Sequence, residues 1–296
     1  MGDRAPRIHT VDALGDPLAV RDWGPEEGVP ILFWHSLGPA SSAAFAGVAA
    51  PALGERGFRL VAPDAPGFGR SPGLAADEYA VTRLVERLLA VRDALALVRP
   101  VLMGHSWGGV VACHAAAARP QECRALVLLD SGHVDYADWP GADMSKSLEE
   151  LVAESEASRV RAGGLDELRA EVERDVSTEP WIWEAFREGL RVEPDGSVVG
   201  VTTGSVRGAA MYWLVRAHPS ETWSELEAAE LPALLLLATE PDDLRERNAR
   251  AAERFLAGYP SAEVVALEGC GHSVFTDLGG RLGELVGDWL RLHARP

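Results

Sequence analysis

The chain has 296 residues, 47% hydrophobic and 25% charged, which is ample material for one large folded domain and is not the composition of a disordered chain. A formal net charge of −17 argues against a nucleic-acid-binding surface and against an anionic membrane surface. Three cysteines, none closely paired in sequence, point to neither a disulfide framework nor a cysteine-based zinc site.

The opening segment MGDRAPRIHTVDALGD lacks the apolar core of a signal peptide, and Pro6 stands where a myristoylation signal requires Ser or Thr. No run approaches the roughly 18 apolar residues of a membrane span. The expectation is a soluble, reduced, cytoplasmic protein. Residues 8–23 then predict one or two antiparallel edge strands, and ILFWHS at 31–36 predicts the first core strand. A helix is expected over 41–57, a strand at RLVAPD (59–64), a helix over 77–98, a strand at VLMGHS (101–106) and a helix over 107–118. ALVLLD (125–130) closes this part with another strand. Further on, ALLLLAT (233–239) and EVVALEG (263–269) read as strands, with helices near 243–258 and 279–293. Several strands are apolar without alternation, as expected where both faces of a parallel sheet are covered. The strand–helix–strand rhythm predicts a mostly parallel sheet with right-handed crossovers.

The rhythm breaks between 132 and 231, where no strong strand is predicted. SKSLEELVAESEASRVRAGGLDELRAEVERD reads as two acidic helices separated by Gly163-Gly164. TEPWIWEAFREGL and GAAMYWLVRAHP read as helices with aromatic faces. The organisation expected is a core of 1–131 and 232–296 with a helical insertion at 132–231. Most aromatics of such an insertion pack it against the sheet. Trp183, Tyr212 and Trp213 are the candidates for lining a substrate pocket.

One strand-to-helix junction carries the chemical signal. Gly104-His105-Ser106-Trp107-Gly108-Gly109 lies between the apolar VLM and the Ala-rich VVACHAAAA. So tight a turn forces the serine into a strained conformation, which glycine neighbours make sterically possible. It lifts the hydroxyl above the sheet edge, where the next helix points its free N–H groups. The five-residue pattern alone is common, and its position between strand and helix is what gives it weight.

At this point the chain resembles the α/β-hydrolase superfamily over nearly its full length. GHSWGG matches the family's nucleophile elbow, which implies Ser106 as nucleophile. HSLG at 35–38 resembles the His-Gly-x-Gly loop, with Ser36 in place of the usual Gly. DAPGFGRS at 64–71 resembles the Asp-x-x-Gly-x-Gly-x-Ser segment, and GCGHSV at 269–274 the late loop that carries the family's histidine. The resemblance implies an eight-stranded, mostly parallel sheet flanked by helices, with 132–231 at the position of the helical cap.

A serine hydroxyl needs a base, and His272 is the best placed. His105 adjoins Ser106 but is read as structural, and His35 as a residue that orients backbone. His133 and His218 are read as substrate contacts or solvated surface, with the second preferred, and His9, His114 and His293 carry no signal. The oxyanion of a tetrahedral intermediate needs two N–H donors. The elbow offers that of Trp107, and the resemblance adds that of Leu37. Both side chains are then expected to flank the acyl group.

The triad acid stays open between two residues. Asp242 lies after the strand that follows the insertion, where most of the superfamily carries its acid, although Ala238-Thr239 replaces the usual Gly. Asp130 closes ALVLLD, where a smaller group carries it, and a carboxylate ending a buried run needs a partner. The reading leans to Asp130.

These residues predict a serine hydrolase that cleaves a carboxylic ester or lactone of an apolar small molecule, with no metal and no organic cofactor. Neither nucleic acid nor a membrane is an expected partner, and assembly as a homodimer is left open. The same triad in the superfamily also serves carbon–carbon bond hydrolases, prolyl aminopeptidases and cofactor-free perhydrolases. An aminopeptidase requires a carboxylate in the cap, for which Glu184 and Glu188 are candidates. Ser106 argues against haloalkane dehalogenase or epoxide hydrolase chemistry, which places Asp there. A ligand receptor on this fold is the non-enzymatic alternative.

Overall fold

A computed structural model describes residues 5–38, 42–139 and 142–294, without the side chains of Ser42, Asp242 and Asp243. The N-terminal segment forms β1 (Arg7–Ala13) and β2 (Asp16–Trp23), followed by β3 (Val29–Trp34), α1 (Ser42–Phe45), α2 (Ala50–Glu55) and β4 (Phe58–Pro63). Then come α3 (Val81–Ala94), β5 (Val101–His105), α4 (Trp107–Ala118) and β6 (Leu126–Leu129). The insertion holds α5 (Leu148–Ala157), β7 (Arg161–Ala162), α6 (Leu165–Asp175), α7 (Pro180–Arg187), β8 (Leu190–Val192), β9 (Val198–Gly200), α8 (Gly204–Leu214) and α9 (Trp223–Ala228). The chain returns to the sheet as β10 (Ala233–Ala238), α10 (Asp242–Gly258), β11 (Glu263–Leu267), α11 (Val274–Leu278) and α12 (Gly280–His293). No described helix is long and apolar enough to cross a membrane.

The main sheet has eight strands in the order β1-β2-β4-β3-β5-β6-β10-β11. It is parallel from β4 to β11, and β1 and β2 are antiparallel. Of the two N-terminal strands only β1 is an edge; β2 is sandwiched between β1 and β4. The central strands are buried throughout because alternate side chains serve two separate cores. Leu102, Leu126, Leu128 and Leu235 join one core with Leu88 of α3, Val110 of α4 and Phe255 of α10. Val101, Met103, Val127 and Leu236 join the other with Leu53 of α2 and Val286 of α12. Each such leucine contributes on the order of 2 kcal/mol by leaving water.

The helix expected over 41–57 is broken into α1, a 3-10 turn at Ala46–Val48 and α2, and residue 41 lies outside the described residues. Pro51 has no N–H to give a continuing helix, so it starts a new one. The insertion is not purely helical either, since β7, β9 and β8 form a small antiparallel sheet. The Pro194-Asp195-Gly196 turn between β8 and β9 is a hairpin signal, with Gly196 at φ 89° and Asp195 accepting from the Ser197 N–H at 3.0 Å. Strands of two or three residues are too short to show a two-residue period.

Sheet register positions the site. Trp34 pairs with Gly104, His105 with Leu129, and Leu129 with Leu236. The residues just past the carboxyl ends of β3, β5, β6 and β10 therefore stand side by side, and these include Ser106 and Asp130.

Candidate active site

Ser106 has φ 55° and ψ −123°, a conformation that costs a non-glycine residue energy and is held here by packing on both sides. A Cβ on Gly104 would stand 2.1 Å from the Gly108 carbonyl oxygen, and one on Gly108 would stand 1.9 Å from that of Trp34. Neither position accepts a side chain. The sequence pattern is thus a steric requirement of laying α4 directly against β3 and β5. Ser131 tightens the turn from the other side, donating from its hydroxyl to the Ser106 carbonyl.

His272 Nε2 lies 2.9 Å from Ser106 Oγ, and His272 Nδ1 lies 2.6 Å from Asp130 Oδ2. Since a carboxylate only accepts, Nδ1 carries the proton and Nε2 presents its lone pair to the serine hydroxyl. Asp130 is 5% exposed, and its other oxygen accepts from the Ala238 N–H at 3.0 Å. Burial pushes its carboxyl up, but the hydrogen bond and positive potential of His272, with the Ala238 N–H, outweigh this and hold it below the usual value. Asp130 itself sits at φ 45°, bent back by an N–H bond to the Leu236 carbonyl. Asp242 opens α10, and its side chain lies outside the described residues; the carboxylate on Nδ1 of His272 is that of Asp130.

His105 holds the histidine loop. Its Nε2–H donates to the His272 backbone carbonyl at 2.7 Å, and the two rings are 5.1 Å apart. Burial, aided by nearby His272, lowers its pKa to about 3, so it stays a neutral donor. His35 orients backbone: its Nε2 accepts from the Ala65 N–H at 2.9 Å, which leaves Nδ1–H to donate to the Ser36 carbonyl at 2.6 Å. Burial lowers its pKa as well.

Trp107 begins α4, so its N–H has no partner within the helix. Its side chain turns into the core. It is 1% exposed and packs edge-on against Trp34 with centroids 6.0 Å apart and against Phe68 at 5.7 Å. A helix N-terminal side chain points back along the helix surface, here into the core under the elbow. Leu37 is 9% exposed and belongs to the same core.

Two of the three proposed pocket aromatics make contacts that hold the insertion together. Trp213 donates its indole N–H to the Ala76 carbonyl at 2.8 Å, fastening the insertion to the core. Tyr212 packs edge-on against Trp213 and carries the Arg216 guanidinium 3.6 Å over its ring. Trp183 is half-buried on α7 and lines neither of the two cavities near the insertion. One of these, of about 300 Å³, lies beside His272 and is lined by Trp139, Pro241, Leu244 and Asn248 together with Asp130. The other, of about 690 Å³, lies away from Ser106 between α7 and the core and includes Arg21, Glu184 and Glu188. Glu188 is engaged there through Oε2 by Arg21 at 2.6 Å and Arg70 at 3.2 Å.

Tyr136 is the residue at the site that the sequence did not reveal. Its hydroxyl lies 3.4 Å from Ser106 Oγ. A tyrosine six residues beyond Asp130 belongs to no motif and is brought in only by the fold of the loop.

A family model described as the alpha/beta hydrolase fold matches residues 29–277. The chain belongs to the α/β-hydrolase family. A 2-hydroxymuconate semialdehyde hydrolase from Pseudomonas putida is 36% identical over 124 residues, 42% of this chain and 43% of that protein, so the match spans less than half of the relative. Another 2-hydroxymuconate semialdehyde hydrolase, from Pseudomonas sp. (strain CF600), is 25% identical over 89% of this chain and 87% of its own length. Among solved structures, the thioesterase domain from the curacin biosynthetic pathway superposes with a TM-score of 0.74 at 19% identity, covering 95% of this α/β hydrolase and 99% of that domain. The last similarity is one of fold.

Proposed function

We propose that this α/β hydrolase is a serine hydrolase that cleaves a carboxylic ester or lactone of an apolar small molecule through an acyl-enzyme. The observation that carries the reading is the unbroken hydrogen-bonded chain from Ser106 Oγ through His272 to the buried Asp130. In this mechanism Ser106 Oγ attacks the carbonyl carbon while its proton moves to His272 Nε2. Asp130 fixes the imidazole tautomer and stabilises its charge. The N–H groups of Trp107 and Leu37 hold the oxyanion. His272 then gives its proton to the departing oxygen, and water repeats the sequence to release the acid and restore Ser106.

The apolar preference is supported by Trp139, Pro241 and Leu244 beside His272. The two relatives favour a second reading, in which the substrate is a compound like the one in their names. Both readings are tested by labelling with a fluorophosphonate and by turnover of a panel of esters, lactones and 2-hydroxymuconate semialdehyde. Ser106→Ala is expected to abolish labelling and to lower turnover by several orders of magnitude. Labelling retained at another serine refutes the mechanism, and turnover of the semialdehyde alone selects the second reading.

A further inference from the structure

Tyr136 lies in the loop that follows β6, and its hydroxyl reaches Ser106 from there. In the sheet β5 has β3, which leads to Leu37, on one side and β6, which leads to Asp130 and then Tyr136, on the other. A group on the β6 side cannot share the oxyanion position with the Leu37 N–H. It meets instead the side of the tetrahedral carbon on which Asp130 and His272 stand. That is where the leaving group must lie to receive the proton from His272 Nε2.

The phenol is suited to donate there. Burial pushes its pKa up, outweighing its contacts with Ser106 and Ser131, so it holds its proton and serves as a donor. Its 3.4 Å separation from Ser106 Oγ is long for a ground-state O–H···O bond. An oxygen on the carbon bonded to Oγ lies one bond further out, and such contacts tighten in the reacting complex. The Tyr136 ring also abuts Trp139, with centroids 6.1 Å apart, and Trp139 lines the chamber beside His272.

We propose that Tyr136 is a catalytic residue that donates a hydrogen bond to the oxygen leaving the tetrahedral carbon, so that the site is built for substrates with an oxygen leaving group. The proposal rests on the serine-hydrolase reading above. In the step concerned the bond from carbon to the leaving oxygen breaks, and its electron pair stays on that oxygen. The proton it takes comes from His272 Nε2, and Tyr136 keeps its own.

A donor to the leaving oxygen matters most when that oxygen is a poor leaving group. The test compares kcat/KM of the unaltered protein and Tyr136→Phe on p-nitrophenyl, phenyl and ethyl acetate, with a thermal melt and fluorophosphonate labelling of each. Tyr136→Phe removes one oxygen atom and leaves the ring against Trp139; Tyr136→His serves as the second variant if the first melts early. The expected result is a graded loss, roughly 10- to 100-fold on the ethyl ester and under about threefold on the p-nitrophenyl ester, at an unchanged melting temperature. An equal loss on all three esters makes Tyr136 a positioning residue for Ser106 and overturns the proposal. So does no loss on any, and the serine-hydrolase reading survives in both cases. An unaltered protein that labels at Ser106 but turns over no ester overturns the ester reading and this proposal together.

Discussion

Around Ser106 the backbone is fixed by contacts that admit no added atom, whereas the insertion between β6 and β10 is tied to the core largely by side chains. At the elbow a Gly108 Cβ would fall 1.9 Å from a carbonyl of β3, and the strands on either side are buried along their whole length. The insertion is fastened by the Trp213 indole on Ala76, the Trp223 indole on Gly132 at 2.9 Å and the Glu188 carboxylate on Arg21. Its surface carries ion pairs such as Lys146–Glu154 and Arg169–Glu173, which are solvated and add little. Packing of the first kind holds Ser106 within hydrogen-bonding distance of His272. Ties of the second kind hold a wall in place and can be exchanged without disturbing that contact.

The largest effect expected from breaking the rigid region is chemical. Asp130→Asn keeps the size of the side chain but lets its amide favour the wrong tautomer of His272. In a comparable triad this costs about ten-thousandfold in kcat. Asp242→Asn, at the start of α10, is expected to change kcat less than about threefold. Steady-state kinetics on one ester decide between them, and the reverse ranking moves the acid to α10.

The second prediction sets the two regions against each other directly. Gly108→Ala is expected to cost about 3 kcal/mol or more, because neither β3 nor α4 can withdraw. Gly208→Ala, on α8, also brings its Cβ close to backbone, 2.6 Å from Val152 of α5. There alanine recovers close to 1 kcal/mol of helix propensity, which offsets part of the cost. The expected net loss is under about 2 kcal/mol, with turnover of a small ester retained. Urea unfolding of both variants measures the contrast, and equal losses would show the insertion to be as rigid as the elbow.

The smallest effect is on acid stability. The pKa of His105 falls from the ordinary 6.5 to about 3 in the folded chain, so the unfolded chain binds this proton first. Its contribution to stability is present above pH 6.5 and is lost progressively as the pH falls toward 3. His105→Asn is expected to shrink the difference in unfolding free energy between pH 7 and pH 5 by up to about 2 kcal/mol. Glu173→Gln, in an exposed pair of the insertion, is expected to leave that difference unchanged. The measurement is urea unfolding at the two pH values, and an unchanged slope for His105→Asn would show that this histidine is not held neutral.

The sequence itself determined the fold and singled out Ser106 and His272 as candidates. Each of these rests on local signals: unbroken apolar runs for strands covered on both faces, glycines at the two positions where α4 meets β3 and β5, and a Gly-flanked histidine beyond the last strand. It also narrowed the acid to Asp130 and Asp242, since a carboxylate ending a buried strand needs a partner. Only the tertiary structure brought Asp130 to the imidazole, because that depends on the register of β6 against β10 and on the loop that His105 holds. The same is true of the aromatics. Trp107 turns into the core and Trp213 ties the insertion down, although the sequence offered the first as a flank of the acyl group and the second as a pocket lining. Tyr136 reaches the nucleophile through an irregular loop that has no period to read. Periodicity and steric exclusion act between neighbours in the chain and are written in its order of residues. The direction of a side chain at the end of a long connection is set by partners scores of residues away, and becomes definite only when the chain has folded.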